Sequence, residues 1–297
     1  MTLLASESRD RLSALRLRAR GVVEGVMGGQ HRNPHRGASV EFAEYKEYAP
    51  GDEIRHIDWR AWGRVDRYFV KQFEDETNYR AYLLLDTSGS MDFSLEGRPT
   101  KFEAGATLAA AIAWILLAQG DAPGLLCFDD RPGAFLPPSS KRSQFEEICR
   151  IAEAAKPAGR TSLESALSRI AERVQARSLV CLFSDFLEQG DDLLRLAKVL
   201  RRKGHEVALF HLLDPAERDL PFEGLTLFEG LEGEEELLAE PDDLRETYAR
   251  LFAEHVARIE QGARAADLEY RQVTTADDGV AAVRAFVAAR QRRKGGG

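Results

Sequence analysis

An α/β fold built on a doubly wound, mostly parallel sheet is predicted by three features of the sequence. After residue 80, short and almost wholly apolar segments recur: AYLLLD (81–86), GLLCFD (124–129), SLVCLFSD (178–185) and EVALFHLL (206–213). Strands that read this way are buried on both faces, as in a parallel sheet covered by helices. Stretches of helical spacing lie between them, and strand, helix, strand alternation is the pattern of crossover connections. A late strand near LEYRQVT (268–274) completes the set.

Local chemistry marks where the helices begin and end. Thr100 to Glu103 (TKFE) and Thr161 to Glu164 (TSLE) both match the capping box, in which a hydroxyl and a carboxylate three residues apart satisfy free backbone donors, so a helix is expected at each. Gly204 closes the amphipathic run 191–203, and Leu244, Tyr248, Leu251, Phe252, Val256 and Ile259 mark one face of a long helix after Pro241. The Glu- and Gly-rich segment 214–240 reads as loop with one edge strand around Leu225–Phe228. Upstream, residues 2–27 read as a helix with Leu12, Leu15 and Val22 apolar, and GGQHRNPHRG reads as a loop. The alternation in 39–50 and 67–74 is that of half-buried strands. The expected division is 1–79, an N-terminal helix and β-rich extension; 80–275, the α/β domain; and 276–297, a C-terminal helix with a basic tail.

Composition narrows the function classes. A chain of 297 residues buries a large core without staples. The formal charge of −8 argues against a nucleic-acid partner, with Arg9, Arg11, Arg16, Arg18, Arg20 and the terminal QRRKGGG as local exceptions. Cys127, Cys149 and Cys181 sit singly in apolar stretches, without zinc or disulfide spacing. Arg9 and Asp10 interrupt what a signal peptide would need, and the longest apolar run, 104–118, falls short of the roughly 20 residues of a membrane helix. A cytoplasmic protein without membrane insertion is the expectation.

The chemistry is expected where loops and helix starts converge, outside the carboxyl ends of the strands. The first apolar strand runs into Asp86-Thr87-Ser88-Gly89-Ser90, a D-x-S-x-S string. Thr161 follows Gly159 and Arg160 at a helix start, and Asp185 ends the third apolar strand. The set Asp86, Ser88, Ser90, Thr161 and Asp185 offers only oxygens, which suits a hard cation such as Mg²⁺, with Mn²⁺ or Ca²⁺ as alternatives; zinc prefers nitrogen or sulfur. If the hydroxyls bind directly and the carboxylates partly through water, the ion keeps an open position for an outside carboxylate. Each residue alone has an ordinary explanation: turn serines, and a helix cap at Thr161.

Taken together, these three pieces in this order resemble the metal-ion-dependent adhesion site of von Willebrand factor A domains, a Rossmann-like fold. The resemblance spans roughly residues 80–275 and implies a divalent-cation site at the five residues named. It departs from the family at Phe186, where Gly is usual. A second resemblance rests on EFAEYKEYAPGDEIRHIDWRAWGRVDRYFVKQFEDE, which is similar to the signature of the bacterial domain-of-unknown-function fifty-eight family, with Lys46 where Arg is expected. Members of that family are found beside MoxR-type AAA+ ATPases, which implies a partner role in an ATP-driven chaperone or assembly system. Their frequent N-terminal membrane helices are missing from this sequence.

The expected function is a non-enzymatic, cation-dependent binding module whose partner offers an acidic side chain, the partner being such an ATPase or its client. A metal-dependent phosphoester hydrolase and a scaffold with an empty site are the alternatives. Neither a G-x-S-x-G elbow nor a GxxxxGK[ST] loop is present, and Ser88 stands where a haloacid-dehalogenase-like phosphatase needs its acid. Asp52, Arg55, Asp58 and Trp59 of the signature read equally as a docking surface or as a buried Arg to Asp pair under an aromatic lid. His31 and His35 read as solvated loop residues.

Overall fold

The computed structural model describes residues 3–28, 42–47, 69–73, 79–95, 97–130, 133–174, 177–187 and 190–294. They fall into two compact units, one of Gln30–Thr77 and one of Met1–Gly29 with Asn78–Gly297. In the smaller, β1 (Phe42–Glu47) pairs antiparallel with β2 (Phe69–Phe73), with a register shift between Phe42 and Glu44. Asp52, Arg55, Asp58 and Trp59, like His31 and His35, lie outside the described residues.

The larger unit is organised by β3 (Arg80–Asp86), β4 (Ala122–Phe128), β5 (Phe135–Leu136), β6 (Ser178–Ser184) and β7 (Glu206–Leu213). After these come β8 (Thr226–Phe228), β9 (Leu237–Ala239) and β10 (Glu269–Thr274). Six of these form one sheet in the order β10-β7-β6-β3-β4-β5, parallel except for β5, which runs antiparallel to β4. Because β3 starts the sheet with β4 on one side and β6 on the other, the chain reverses its direction of travel at β3, and a crevice opens at the carboxyl end there.

Burial on both faces explains why these strands are apolar throughout. Leu83 and Leu85 face a layer made by helices Leu3–Gly28, Lys101–Ala118, Gln144–Ala154 and Val280–Lys294. Tyr82 and Leu84 face helices Leu163–Arg173, Gly190–Arg202 and Pro241–Ala265. A fully buried leucine or phenylalanine contributes about 1.5–3 kcal/mol relative to exposure, so the central strands dominate the driving force. Helix Lys101–Ala118 is the one described helix apolar and long enough to cross a membrane, and 61% of it is buried inside the fold. It seats on the sheet through Gly105, where an added Cβ would come within 2.7 Å of Leu212 Cδ1.

Several boundaries differ from the sequence reading. The first helix joins the sheet unit rather than the β-rich region, because Leu15, Ala19, Val22, Val23 and Val26 are buried in the same core as Leu83. The last helix joins it too: Val283 and Phe286 are buried, and Arg290 pairs with Asp121 at 2.8 Å before β4. The strand expected around Leu225–Phe228 is real but pairs with β9 in a separate two-stranded sheet. In helix Pro241–Ala265 the buried face is Phe252, Ile259 and Ala263, while Leu251 is 52% exposed.

His211 on β7 illustrates what this core demands of a titrating group. Its Nδ1 meets the Tyr270 hydroxyl at 2.7 Å, and its ring lies 5.3 Å from that of Phe186. Burial pushes its pKa down from 6.5 to about 4, against the pull of Asp185. The folded state therefore resists the proton that the unfolded chain takes up below 6.5. Stability from this group is fully present above that value and is lost as pH falls toward 4, by about 3 kcal/mol. Denaturant melts at pH 7 and pH 4.5 should show a smaller acid loss for His211→Gln than for the parent chain; equal losses would refute the assignment.

Candidate functional site

Three loops meet at the carboxyl end of β3. Asp86 ends the strand fully buried, and Thr87 is tied to β4 by hydrogen bonds from its amide (2.8 Å) and hydroxyl (2.9 Å) to the Phe128 carbonyl. The Ser88 amide donates back to Asp86 Oδ1 at 2.9 Å, which turns the chain into a short 3-10 segment, Gly89–Asp92. Backbone bonds then stitch the second loop to the first: Ala158 N to Thr87 O and Gly89 N to Gly159 O, both 2.9 Å.

The side chains converge on that frame. Thr161 Oγ1 donates to Asp86 Oδ2 at 3.1 Å, and Ser184 Oγ donates to the same oxygen at 2.5 Å. Ser88 Oγ and Ser90 Oγ are 3.2 Å apart. The Ser90 hydroxyl also hydrogen-bonds Asp185, whose Oδ2 accepts from Lys101 Nζ at 2.7 Å. All five residues expected at the site are thus brought together. The TSLE capping box is not formed: helix Leu163–Arg173 has Ser162 at its cap with no side-chain bond, and the Thr161 hydroxyl goes to Asp86 instead. TKFE does form its box, with Glu103 N to Thr100 Oγ1 at 3.1 Å and Thr100 N to Glu103 Oε2 at 3.2 Å.

Four further residues belong to the site. Ser184 precedes Asp185 as the last residue of β6 and is oriented by that strand. Lys101, wholly buried, bonds Asp185 and also the Glu217 carboxylate from helix Pro215–Asp219. Glu232, from the segment between β8 and β9, accepts from Ser90 N at 3.3 Å and from Thr161 N at 3.1 Å. Local patterns hid them: Lys101 reads as a helix start, Glu217 as half of a second capping box with Asp214, and Glu232 as one glutamate among several.

Electrostatics divides the two aspartates. Burial, and then the charge of Asp185, raises Asp86 to about 7 against the hydrogen bonds from Ser184 and Ser88. Burial would also raise Asp185, but Lys101 outweighs it and holds that carboxyl below its ordinary value. Lys101 in turn is held above its ordinary value: burial works against the charge, and Asp185 and Glu217 overcome it. Phe186 completes the third loop at φ +51°, the left-handed region that favours the Gly usual here. Its ring is fully buried, so apolar packing offsets about 1–2 kcal/mol of backbone strain.

The residues fit a hard divalent cation. Neighbouring ligands of an octahedral ion with bonds of 2.0–2.1 Å stand about 2.9 Å apart, and the Ser88 and Ser90 hydroxyls lie close to that spacing at 3.2 Å. Ser90 and Thr161 line a cleft together with Asp185, Glu217, Glu229, Glu232 and Glu234, with Lys101 as the countercharge to Asp185 and Glu217. Among the described residues no three or more His, Cys, Asp or Glu side chains are placed to hold a metal ion between them, as a zinc or carboxylate-cage site would need. Removing the ammonium tests this electrostatic balance. Lys101→Met should cost about 3–5 kcal/mol of stability in EDTA, because Asp185 and Glu217 are left buried and unpaired, with part of the loss restored by millimolar Mg²⁺. A denaturation series showing no loss would contradict it.

Comparison with known proteins agrees with the fold. The family model described as Protein of unknown function DUF58 matches residues 44–258. The uncharacterized protein Rv1480 of Mycobacterium tuberculosis (strain H37Rv) is 28% identical over 286 residues, 95% of this chain and 89% of that one. Among solved structures, the conserved hypothetical protein BatB from Bacteroides thetaiotaomicron matches at TM-score 0.50 and 15% identity, over 72% of this chain and 99% of that chain. The SpRpn10 VWA domain matches at TM-score 0.41 and 12% identity, over 70% and 94%. An aerotolerance-related membrane protein from Bacteroides fragilis matches at TM-score 0.49 and 18% identity, over 71% and 97%.

The cytoplasmic location expected from the sequence is withdrawn, since the Bacteroides fragilis protein is described as a membrane protein. Cys127, Cys149 and Cys181 are all buried, and burial pushes their thiols well above the ordinary range, which disfavours the reactive thiolate. With its sheet order, its site at the β3 edge and the family match across most of its length, the chain belongs to the DUF58 family and carries a von Willebrand factor A-like fold.

Proposed function

We propose that this chain is a non-enzymatic protein-binding module that holds one divalent cation, Mg²⁺ or alternatively Mn²⁺ or Ca²⁺, at Asp86, Ser88, Ser90, Thr161 and Asp185. The reading is supported by the diversion of Thr161: its hydroxyl leaves the helix cap its sequence would make and joins Asp86, tying the second loop to the first. Ser88 and Ser90 would bind the ion through their hydroxyls, and Asp86, already accepting from Thr161, Ser184 and Ser88, would orient that set from behind. The cation supplies positive charge with an open position, which an aspartate or glutamate of a partner can fill.

The proposed partner is a MoxR-type AAA+ ATPase or its client, an inference from the family resemblance. Hydrolysis is the weaker reading, because the ammonium beside the site is locked to Asp185 and Glu217 and is held protonated, the wrong state for a base.

Asp86→Ala should weaken Mg²⁺ binding by about 10–100-fold in calorimetry while the chain keeps its circular dichroism, since it loses a ligand-orienting group and not core volume. Capture of a purified MoxR-type ATPase should follow the metal, present in Mg²⁺ and lost in EDTA or with the variant. Equal capture in all three conditions would overturn the cation-dependent reading.

A further inference from the structure

The segment Glu229–Glu234 lies across the site as a strap. It joins β8 to β9 and is fixed at three points. The Glu232 carboxylate accepts from Ser90 N and Thr161 N, the amides of two residues whose hydroxyls belong to the proposed cation set. The Glu232 carbonyl accepts from Arg160 Nε at 3.1 Å, and the Glu232 amide donates to Glu234 Oε2 at 3.0 Å. The third point is backbone on backbone: an added Cβ at Gly89 would stand 2.0 Å from the Leu231 carbonyl oxygen, so the D-x-S-x-S turn is shaped to receive the strap. Glu232 is 9% exposed, unusual for a glutamate on a surface loop.

The position of this carboxylate matters more than its burial. It shares one cleft with Ser90, Thr161 and Asp185, on the side from which a partner's acid would approach. Glu229, Glu232 and Glu234 line the same cleft as the proposed cation set, and their like charge repels an entering acid. An acidic partner and the strap therefore compete for the same place. We propose that Glu232 is a built-in substitute for the partner's carboxylate, so that the strap closes the site of the isolated chain and binding requires its displacement. This rests on the cation reading given above and adds to it a regulation of the same site.

The test uses the full chain, Mn²⁺ as the ion and acetate as the competing acid, read by water-proton relaxation. An acid tethered on a short strap acts at an effective concentration of order millimolar, so acetate should reach the ion in Glu232→Gln and Glu232→Ala at about tenfold lower concentration than in the parent. Bound Mn²⁺ in the variants should also relax water more strongly, because the outward position is freed. Two variants guard against a glutamine that keeps one of the amide bonds. If Mn²⁺ binds all three proteins with equal relaxation and equal acetate sensitivity, the strap proposal fails and the cation reading stands. If Mn²⁺ binds none of them, both fail.

Discussion

A single buried carboxylate organises this end of the molecule. Asp86 sits at the tip of the central strand with no exposure to water, and its two oxygens accept from an amide of its own loop, a threonine of the second loop and a serine of β6. Burying a carboxylate is costly unless donors satisfy it, and here the donors are drawn from three separate parts of the chain. The loops are consequently positioned by the same bonds that solvate the acid. Burial of Asp86 is also what keeps its proton affinity high, since the low-dielectric surroundings and Asp185 both oppose its ionisation.

Charge balance explains the rest of the site. Asp185 and Glu217 share a single countercharge, Lys101, an ammonium carried on the first turn of a core helix and wholly removed from solvent. Glu229, Glu232 and Glu234 add further acid at the rim. One ammonium among this many carboxylates leaves an environment that attracts a cation and disfavours a second anion, and Glu232 spends its own charge on two backbone amides. Cation attraction inside and acid crowding at the rim are two consequences of one charge distribution. Under the proposed strap mechanism, the two together control access to the site.

Much of this was legible in the residues because burial on both faces leaves an unmistakable pattern. AYLLLD and SLVCLFSD can be little else than central parallel strands, and their ends locate Asp86 and Asp185. The capping box was a less faithful guide. TKFE and TSLE are alike in sequence, yet only the first caps its helix, since the second lies within reach of a buried acid that competes for its hydroxyl. Long-range partners were invisible for a related reason: nothing near Glu232 marks it off from its neighbours, and only the fold brings it to Ser90 and Thr161, 142 and 71 residues away. The first helix was likewise separated from the sheet unit by reading order, although its buried face is continuous with the core. Phe186 shows the reverse case: at a position where the resembled family usually carries Gly, a phenylalanine holds a left-handed conformation with its ring fully buried.

The central claim is that oxygens from these three loops form one cation site. Anomalous diffraction from crystals grown with Mn²⁺ addresses it directly. The account predicts one strong anomalous peak within bonding distance, roughly 2.1 Å, of the Ser88 and Ser90 hydroxyls, with Thr161 and the two aspartates around it. Crystals diffracting well in saturating Mn²⁺ that show no peak there, with the serine hydroxyls still bonded only to protein, would contradict it.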